Sequence, residues 1–275
     1  MTPTDISVVG PMARHAENLD MALRALAGAD LLQRAAWRVE LQPPRHRRLG
    51  EFRVAVWASS RLCRIDTSVS DLFDRAINAI VRAGATVDDA ARPGIADEEH
   101  HRLFMQLLRA ATASRMRDED FARQQEIAAT LTDDDFSDRA AVARGATLLH
   151  RAWGNANEAR TKLRYTWHEF FERFDVLLTP VAATAAFPHN HNPNRDERTV
   201  SVNGKAVPYA EQLFFAGLAS LSYLPAIAAP IGLTAEGLPV ALQIIGPEGE
   251  DPTTIEFARL LAVEIGAFVP PPVYS

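Results

Sequence analysis

Hydrophobic positions along the chain switch between two spacings. Val69, Leu72, Phe73, Ala76, Ile77, Ile80 and Val81 recur at three- and four-residue steps. That predicts an amphipathic helix beginning at Asp66 or Thr67. Gly84 stands where a helix terminator belongs. On either side lie short apolar runs, Phe52 to Trp57 and Ala85 to Val87, which read as buried strands. Strand, helix and strand in that order imply two parallel strands with a helix across them.

Further elements follow from the same reading. Leu19, Ala22, Leu23, Leu26 and Ala27 place a helix over Ala13 to Ala27, closed by Gly28. Leu41 to Leu49 is a polar loop broken by Pro43-Pro44. Asp97 to Phe174 is mostly helical, with a polar break from Thr132 to Asp138. Asp175 to Thr179 is a buried strand stopped by Pro180, and a Pro/Asn/His-rich loop runs on through Arg198. Thr199 to Val207 is a hairpin, because Asn203-Gly204 supplies the positive φ angles of a type I′ turn. Tyr209 to Ala219 is helical. Ala226 to Ile231 and Val240 to Ile245 are apolar strands with Gly237-Leu238-Pro239 in the turn between them. Pro252 opens a last helix reaching about Ile265, since proline suits a helix's first turn. The class is α/β, with no linker that would divide residues 1–275 into separate domains.

Composition narrows the class of partner. A net charge of −6 argues against non-specific nucleic-acid binding. No apolar run reaches the ~18 residues of a membrane span. Met1 to Gly10 has neither the basic nor the apolar part of a secretory signal. The single cysteine, Cys63, cannot form an internal disulfide and fits a reducing, cytoplasmic setting.

Three segments of the carboxyl-terminal third then carry a resemblance: Phe174 to Phe187 (FDVLLTPVAATAAF), Leu221 to Pro247 (LSYLPAIAAPIGLTAEGLPVALQIIGP) and Asp251 to Ala262 (DPTTIEFARLLA). Together with Ser7 to Gly28 (SVVGPMARHAENLDMALRALAG), they resemble the amidase signature family. The match is strongest at both ends and weak between about residues 90 and 140. Tyr223 and Ala241 depart from the pattern, standing where glycines are usual. The proline and glycine positions of the motif, Pro225, Pro230, Pro239, Gly232 and Gly237, are structural: they sit at strand ends and turns and move no proton.

The resemblance implies part of the amidase signature fold, a mixed sheet covered by helices without the family's amino-terminal strands. It also implies hydrolysis of C–N bonds in small amides by a serine nucleophile, a second serine and a lysine. A serine needs a base of suitable pKa, and the tetrahedral intermediate needs backbone N–H donors. In the family those groups precede the Gly-Pro segment that here begins near Ser7.

Replacements are not evident in the sequence. It contains no Gly-Gly, no Ser-x-x-Lys and no Gly-x-Ser-x-Gly. The only lysines, Lys162 and Lys205, are expected on a solvated helix face and beside an exposed hairpin turn. Ser59-Ser60 follows a strand end, where α/β folds do place catalytic groups, yet no lysine or histidine is near in sequence. His189 and His191 lack metal-ligand spacing and read as a solvated loop. His100-His101 opens a helix, at the surface or half-buried. Arg61 and Arg64 flank Cys63 and would lower its pKa, but with no base nearby it reads as an inert thiol.

The expectation is therefore no catalytic, cofactor or metal site within these residues. The isolated chain is expected to be inactive: a truncated product, a pseudo-enzyme or one half of a split amidase. A sheet cut between strands leaves an open edge and a bare apolar face, so self-association or an amino-terminal partner chain is expected. A non-catalytic binding or scaffolding remnant is the alternative. A role like that of the A-subunit of glutamyl-tRNA amidotransferase is a third reading, disfavoured by the acidic charge. Any pocket for a small amide would involve the loop after Thr179-Pro180, including Phe187.

Overall fold

A computed structural model describes residues 5–132, 134–135, 137–192, 194 and 197–271. The first and last four residues, and parts of the polar break after Thr132 and of the loop before Arg198, thus lie outside the described residues. Eight helices occur among the described residues: α1 (Ala16–Leu26), α2 (Thr67–Arg82), α3 (Asp97–Ala113), α4 (Asp118–Ala128), α5 (Asp138–Ala146), α6 (His150–Arg173), α7 (Leu213–Ser220) and α8 (Asp251–Ile265). Seven strands among the same residues join them: β1 (Arg53–Val56), β2 (Thr86–Asp88), β3 (Val176–Pro180), β4 (Thr199–Val202), β5 (Lys205–Pro208), β6 (Ala226–Leu233) and β7 (Pro239–Ile245).

The main sheet has the order β2-β1-β3-β7-β6. β1 runs parallel to β2 and β3, and β7 runs antiparallel to β3 and β6. The sheet is therefore mixed. Strand alternation divides two cores. Val54, Val56, Val176, Leu178, Leu242 and Ile244 face Phe73, Ile80, Phe257 and Leu261 of α2 and α8. Ala55, Trp57, Leu177 and Ile245 face Leu107, Trp167, Phe171 and Phe215 of α3, α6 and α7. Burying each such large side chain contributes about 1.5–3 kcal/mol, so the two faces hold the sheet from both sides. Among the described residues, no helix is long and apolar enough to cross a membrane.

Local signals place most elements. The Asp66 side chain accepts the Ser68 N–H at 3.0 Å and caps α2. Gly84 follows that helix at φ 96°, which a side chain would resist. Asn203 and Gly204 take φ 50° and 74°, as the hairpin requires. Other positions differ from expectation. Val81 is exposed and Ala79 is buried in its place, because α2 meets the sheet on a slightly rotated face. Pro180 is the last residue of β3, opposite Leu242, and does not interrupt the strand. The segment from Asp97 to Phe174 is four separate helices, α3 to α6. The amphipathic α1 buries none of its residues.

Candidate functional site

The region beyond the Thr179-Pro180 end of β3 gathers four distant segments around one open groove of about 570 Å³. Ala185 to His191 forms one wall, and Asp66 and Ser68 at the start of α2 another. Thr199 to Ser201 of β4 and Thr234, Glu236 and Leu238 of the β6–β7 turn complete it. Phe187 lies in this wall, its ring 6.0 Å from Tyr209 in an edge-to-face contact.

Hydrogen bonds fix the walls. The Asp66 N–H donates to Ala183 O at 2.8 Å, tying the outgoing chain to α2. Asn203 Oδ1 accepts the Thr67 N–H at 2.8 Å and its hydroxyl at 2.7 Å, while the Asn203 N–H donates to Asp66 Oδ2 at 2.8 Å. The hairpin tip thus fills the amino end of α2. Burial alone would raise the pKa of Asp66, but hydrogen bonds from Ser68 and Asn203 outweigh it and hold the carboxyl below the usual range. Gln243 Nε2 donates to Thr179 Oγ1 at 3.1 Å and to Phe215 O at 3.0 Å, locking the strand end. Gln212 Oε1 accepts the Ala183 N–H at 2.7 Å. The Thr234 hydroxyl oxygen accepts from the Glu236 and Leu238 N–H groups, each at 3.3 Å, shaping the turn.

The candidate residues are dispersed. Ser60 donates its hydroxyl to Asp97 and accepts the Leu62 N–H at 3.2 Å, so it shapes a turn that leads toward α3. Ser59, Lys162 and Lys205 are exposed. Among the described residues, neither lysine hydrogen-bonds to either serine. His189 and His191 are exposed on the groove wall with ring centroids 5.7 Å apart. Cys63 is fully buried, and burial with the nearby Glu211 carboxylate pushes its thiol up to about 12. This corrects the expected effect of its arginine neighbours: Arg64 turns outward to Glu211, at 2.8 Å, and the thiol is left unreactive.

Of the histidine pair, His101 is half-buried as expected, while His100 is corrected to the interior. His100 is 1% exposed, with its ring 6.5 Å from that of Trp167. Burial, with His101 beside it, lowers its pKa to about 4. Burial lowers His101 as well, with Arg109 adding to the effect. Sequence reading missed Asp66, Thr234 and Glu236 as groove residues. The Asn-Gly and Gly-Leu-Pro turns were visible signals, but nothing local shows that they converge on α2.

Tyr223 takes the left-handed conformation, at φ 59°, that glycine adopts more readily. Its hydroxyl donates to Asp5 Oδ1 at 2.7 Å, and Arg160 and Arg164 lie 4.8 and 5.3 Å from its ring centroid. Arg160 also donates to the same Asp5 oxygen at 2.6 Å. These contacts hold a conformation that the side chain itself disfavours.

A mixed sheet with helices packed on both faces and a loop-lined groove at the end of β3 defines an α/β protein with a candidate ligand groove. The sequence profile of the Amidase family matches residues 2–255, and the chain belongs to that family. The A-subunit of glutamyl-tRNA(Gln) amidotransferase from Rhodospirillum rubrum is 23% identical over 98% of this chain and 55% of its own. The protein of that name from Wolbachia pipientis wMel is 34% identical over 41% of this chain and 21% of its own. Among solved structures, a bacterial aryl acylamidase of the amidase signature family aligns with TM-score 0.67 and 19% identity, over 94% of this chain and 53% of that one. The A-subunit of Thermotoga maritima glutamyl-tRNA(Gln) amidotransferase aligns with TM-score 0.66 and 20% identity, over 94% and 54%. The chain spans about half the length of these solved structures and of the R. rubrum relative.

Proposed function

We propose that this chain is the carboxyl-side part of an amidase-type C–N hydrolase. It supplies the sheet and the groove that receives a small amide, and the serine–lysine chemistry comes from residues other than these 275. The observation that carries this reading is a groove built at the strand end whose serines, Ser68 and Ser201, have no lysine or histidine hydrogen-bonded to them among the described residues; the Ser68 hydroxyl is instead held by the helix-capping Asp66 at 2.7 Å. Ser60, the serine after β1, donates its hydroxyl hydrogen bond to the Asp97 carboxylate at the start of α3. Both lysines face solvent. The 275 residues alone are therefore inactive toward amides.

The test is hydrolysis of a panel of aryl and aliphatic amides by the purified chain, with parallel labelling by a serine-reactive fluorophosphonate. Neither turnover nor labelling is expected. Stoichiometric labelling of one serine, with turnover, would sink the proposal.

The names of the relatives favour a second reading, a role like that of the A-subunit in a glutamyl-tRNA(Gln) amidotransferase. The net charge of −6 weighs against direct contact with tRNA, because nucleic-acid affinity rests on paired phosphates. Filter binding with glutamyl-tRNA(Gln) at low salt separates the two: micromolar retention would support the second reading.

A further inference from the structure

Arg160 on α6 is 3% exposed. A guanidinium keeps its charge, so burying it calls for an anion beside it. Within its own helix its Nε and Nη2 reach a neutral acceptor, Asn157 Oδ1, at 3.2 and 2.5 Å. The anion comes from a segment 155 residues away. Asp5 Oδ1 accepts from Arg160 Nη1 at 2.6 Å and from the Tyr223 hydroxyl at 2.7 Å. Arg164, which also lies over the Tyr223 ring, is engaged with Glu248.

Asp5 fits this position poorly. One of its oxygens carries both bonds, while Oδ2 is buried with no hydrogen-bond partner among the described residues. An arginine–carboxylate pair is strongest when both oxygens are engaged, and a buried acceptor left unpaired costs its lost hydration. The backbone that delivers Asp5 is strained as well. Ile6, a β-branched residue, stands at φ 65°, and the Ser7 N–H closes a three-residue turn onto Asp5 O at 2.7 Å. Withdrawal of Asp5 frees the unpaired oxygen and lets that turn relax.

Beside this carboxylate lies an open cavity of about 410 Å³, the size of a small-molecule site. Asp5 touches the cavity on one side and the guanidinium on the other. The small Ala110 and Gly145 leave the space open, and Phe121, Leu148 and Trp153 give it apolar walls. An inorganic anion would leave those walls uncovered, and a neutral apolar molecule would leave Asp5 in place. A planar carboxylate with an apolar ring attached satisfies both parts.

We infer that Arg160 and the Tyr223 hydroxyl form a binding site for a small aromatic carboxylic acid, whose carboxylate displaces that of Asp5 and whose ring enters the cavity beside Trp153. The cavity shares no lining residue with the groove beyond β3, and the inference does not depend on that groove's function. Isothermal titration calorimetry of the 275-residue chain with benzoate tests it, with benzamide as the uncharged control. Saturable binding of benzoate is expected, and none of benzamide. Asp5→Asn keeps the side chain's shape and removes the competing charge, so benzoate should bind at least about tenfold more tightly. Tyr223→Phe removes one donor and should weaken binding roughly tenfold, with circular dichroism unchanged. No saturable binding to the wild type, or equal binding of benzoate and benzamide, would overturn the inference and leave Asp5 a structural tether. So would a benzoate affinity that Asp5→Asn leaves unchanged or lowers. If Asp5→Asn does not fold, Tyr223→Phe decides, and an unchanged affinity in that variant overturns the site.

Discussion

Asp175 is the most consequential polar side chain in the sheet. It precedes β3, is 1% exposed, and gathers the ends of three elements. Its Oδ2 accepts the Arg53 N–H at 2.8 Å and lies 3.2 Å from His46 Nε2, while its Oδ1 accepts from Arg53 Nη2 at 2.8 Å and Arg45 Nη1 at 3.3 Å. Arg45 carries the network onward to Glu250 before α8, through two bonds of 2.6 Å. Asp175→Ala leaves two guanidinium groups without that acceptor. Breaking a buried pair costs about 3–5 kcal/mol. Arg53 is half-exposed and can rehydrate, so the low end, about 3 kcal/mol, is expected here. For a chain of this size that lowers the melting temperature by roughly 6 °C. Asp175→Asn keeps one acceptor and introduces a conflicting donor, so about 1–2 kcal/mol is expected. Burial pushes the Asp175 pKa up, but hydrogen bonds from Arg53 and Arg45 outweigh it and hold the carboxyl below its ordinary value. Its stabilisation is therefore complete above about pH 3.9 and is lost as pH falls through the lower folded value. Urea unfolding of the wild type and Asp175→Asn between pH 3 and 7 checks both magnitude and sign. A difference below about 0.5 kcal/mol at pH 7, or one that does not shrink with acid, would refute the reasoning.

Three further outcomes follow from buried groups. His100, at 6.5 when unperturbed and about 4 in the fold, stays neutral where the unfolded chain is protonated. As pH falls from 6.5 to about 4 the unfolded chain takes up a proton that the fold excludes, so stability should fall by about 1.4 kcal/mol per pH unit, roughly 3 kcal/mol in all, and His100→Leu should flatten that limb in pH-dependent urea titrations. A Cβ on Gly145 would overlap Arg109 Cβ and reach Ala110 N at 3.0 Å, whereas one on Gly154 meets nothing within 4 Å. By calorimetry, Gly145→Ala should destabilise by about 1–3 kcal/mol and Gly154→Ala should stabilise by about 0.5–1 kcal/mol. Cys63 should resist a thiol-reactive disulfide reagent at pH 8 in the native chain and react on denaturation; rapid native labelling would contradict its burial.

The contrast between α2 and the groove separates what was legible in the sequence from what was not. The start of α2, Gly84 and the Asn203-Gly204 turn are written in consecutive residues, because capping and positive φ are local physics. Val81 misled because periodicity locates an apolar stripe only to within a residue or so of the true contact face. α1 is equally periodic but buries nothing, since a stripe does not name its partner. Cys63 answers to its burial, and then to its spatial neighbour Glu211, instead of to the arginines beside it in sequence. Asp66, Thr234 and Glu236 meet only through the folded sheet, beyond the reach of any spacing rule.

The most direct measurement is amide hydrolysis by the purified chain alone, read together with fluorophosphonate labelling of its serines. Product release no faster than the buffer control, with no serine labelled, is expected of a chain that supplies the groove without the nucleophile. Sustained turnover with one serine labelled stoichiometrically would contradict that division of labour, and Ser59 and Ser60 would be the first residues to replace.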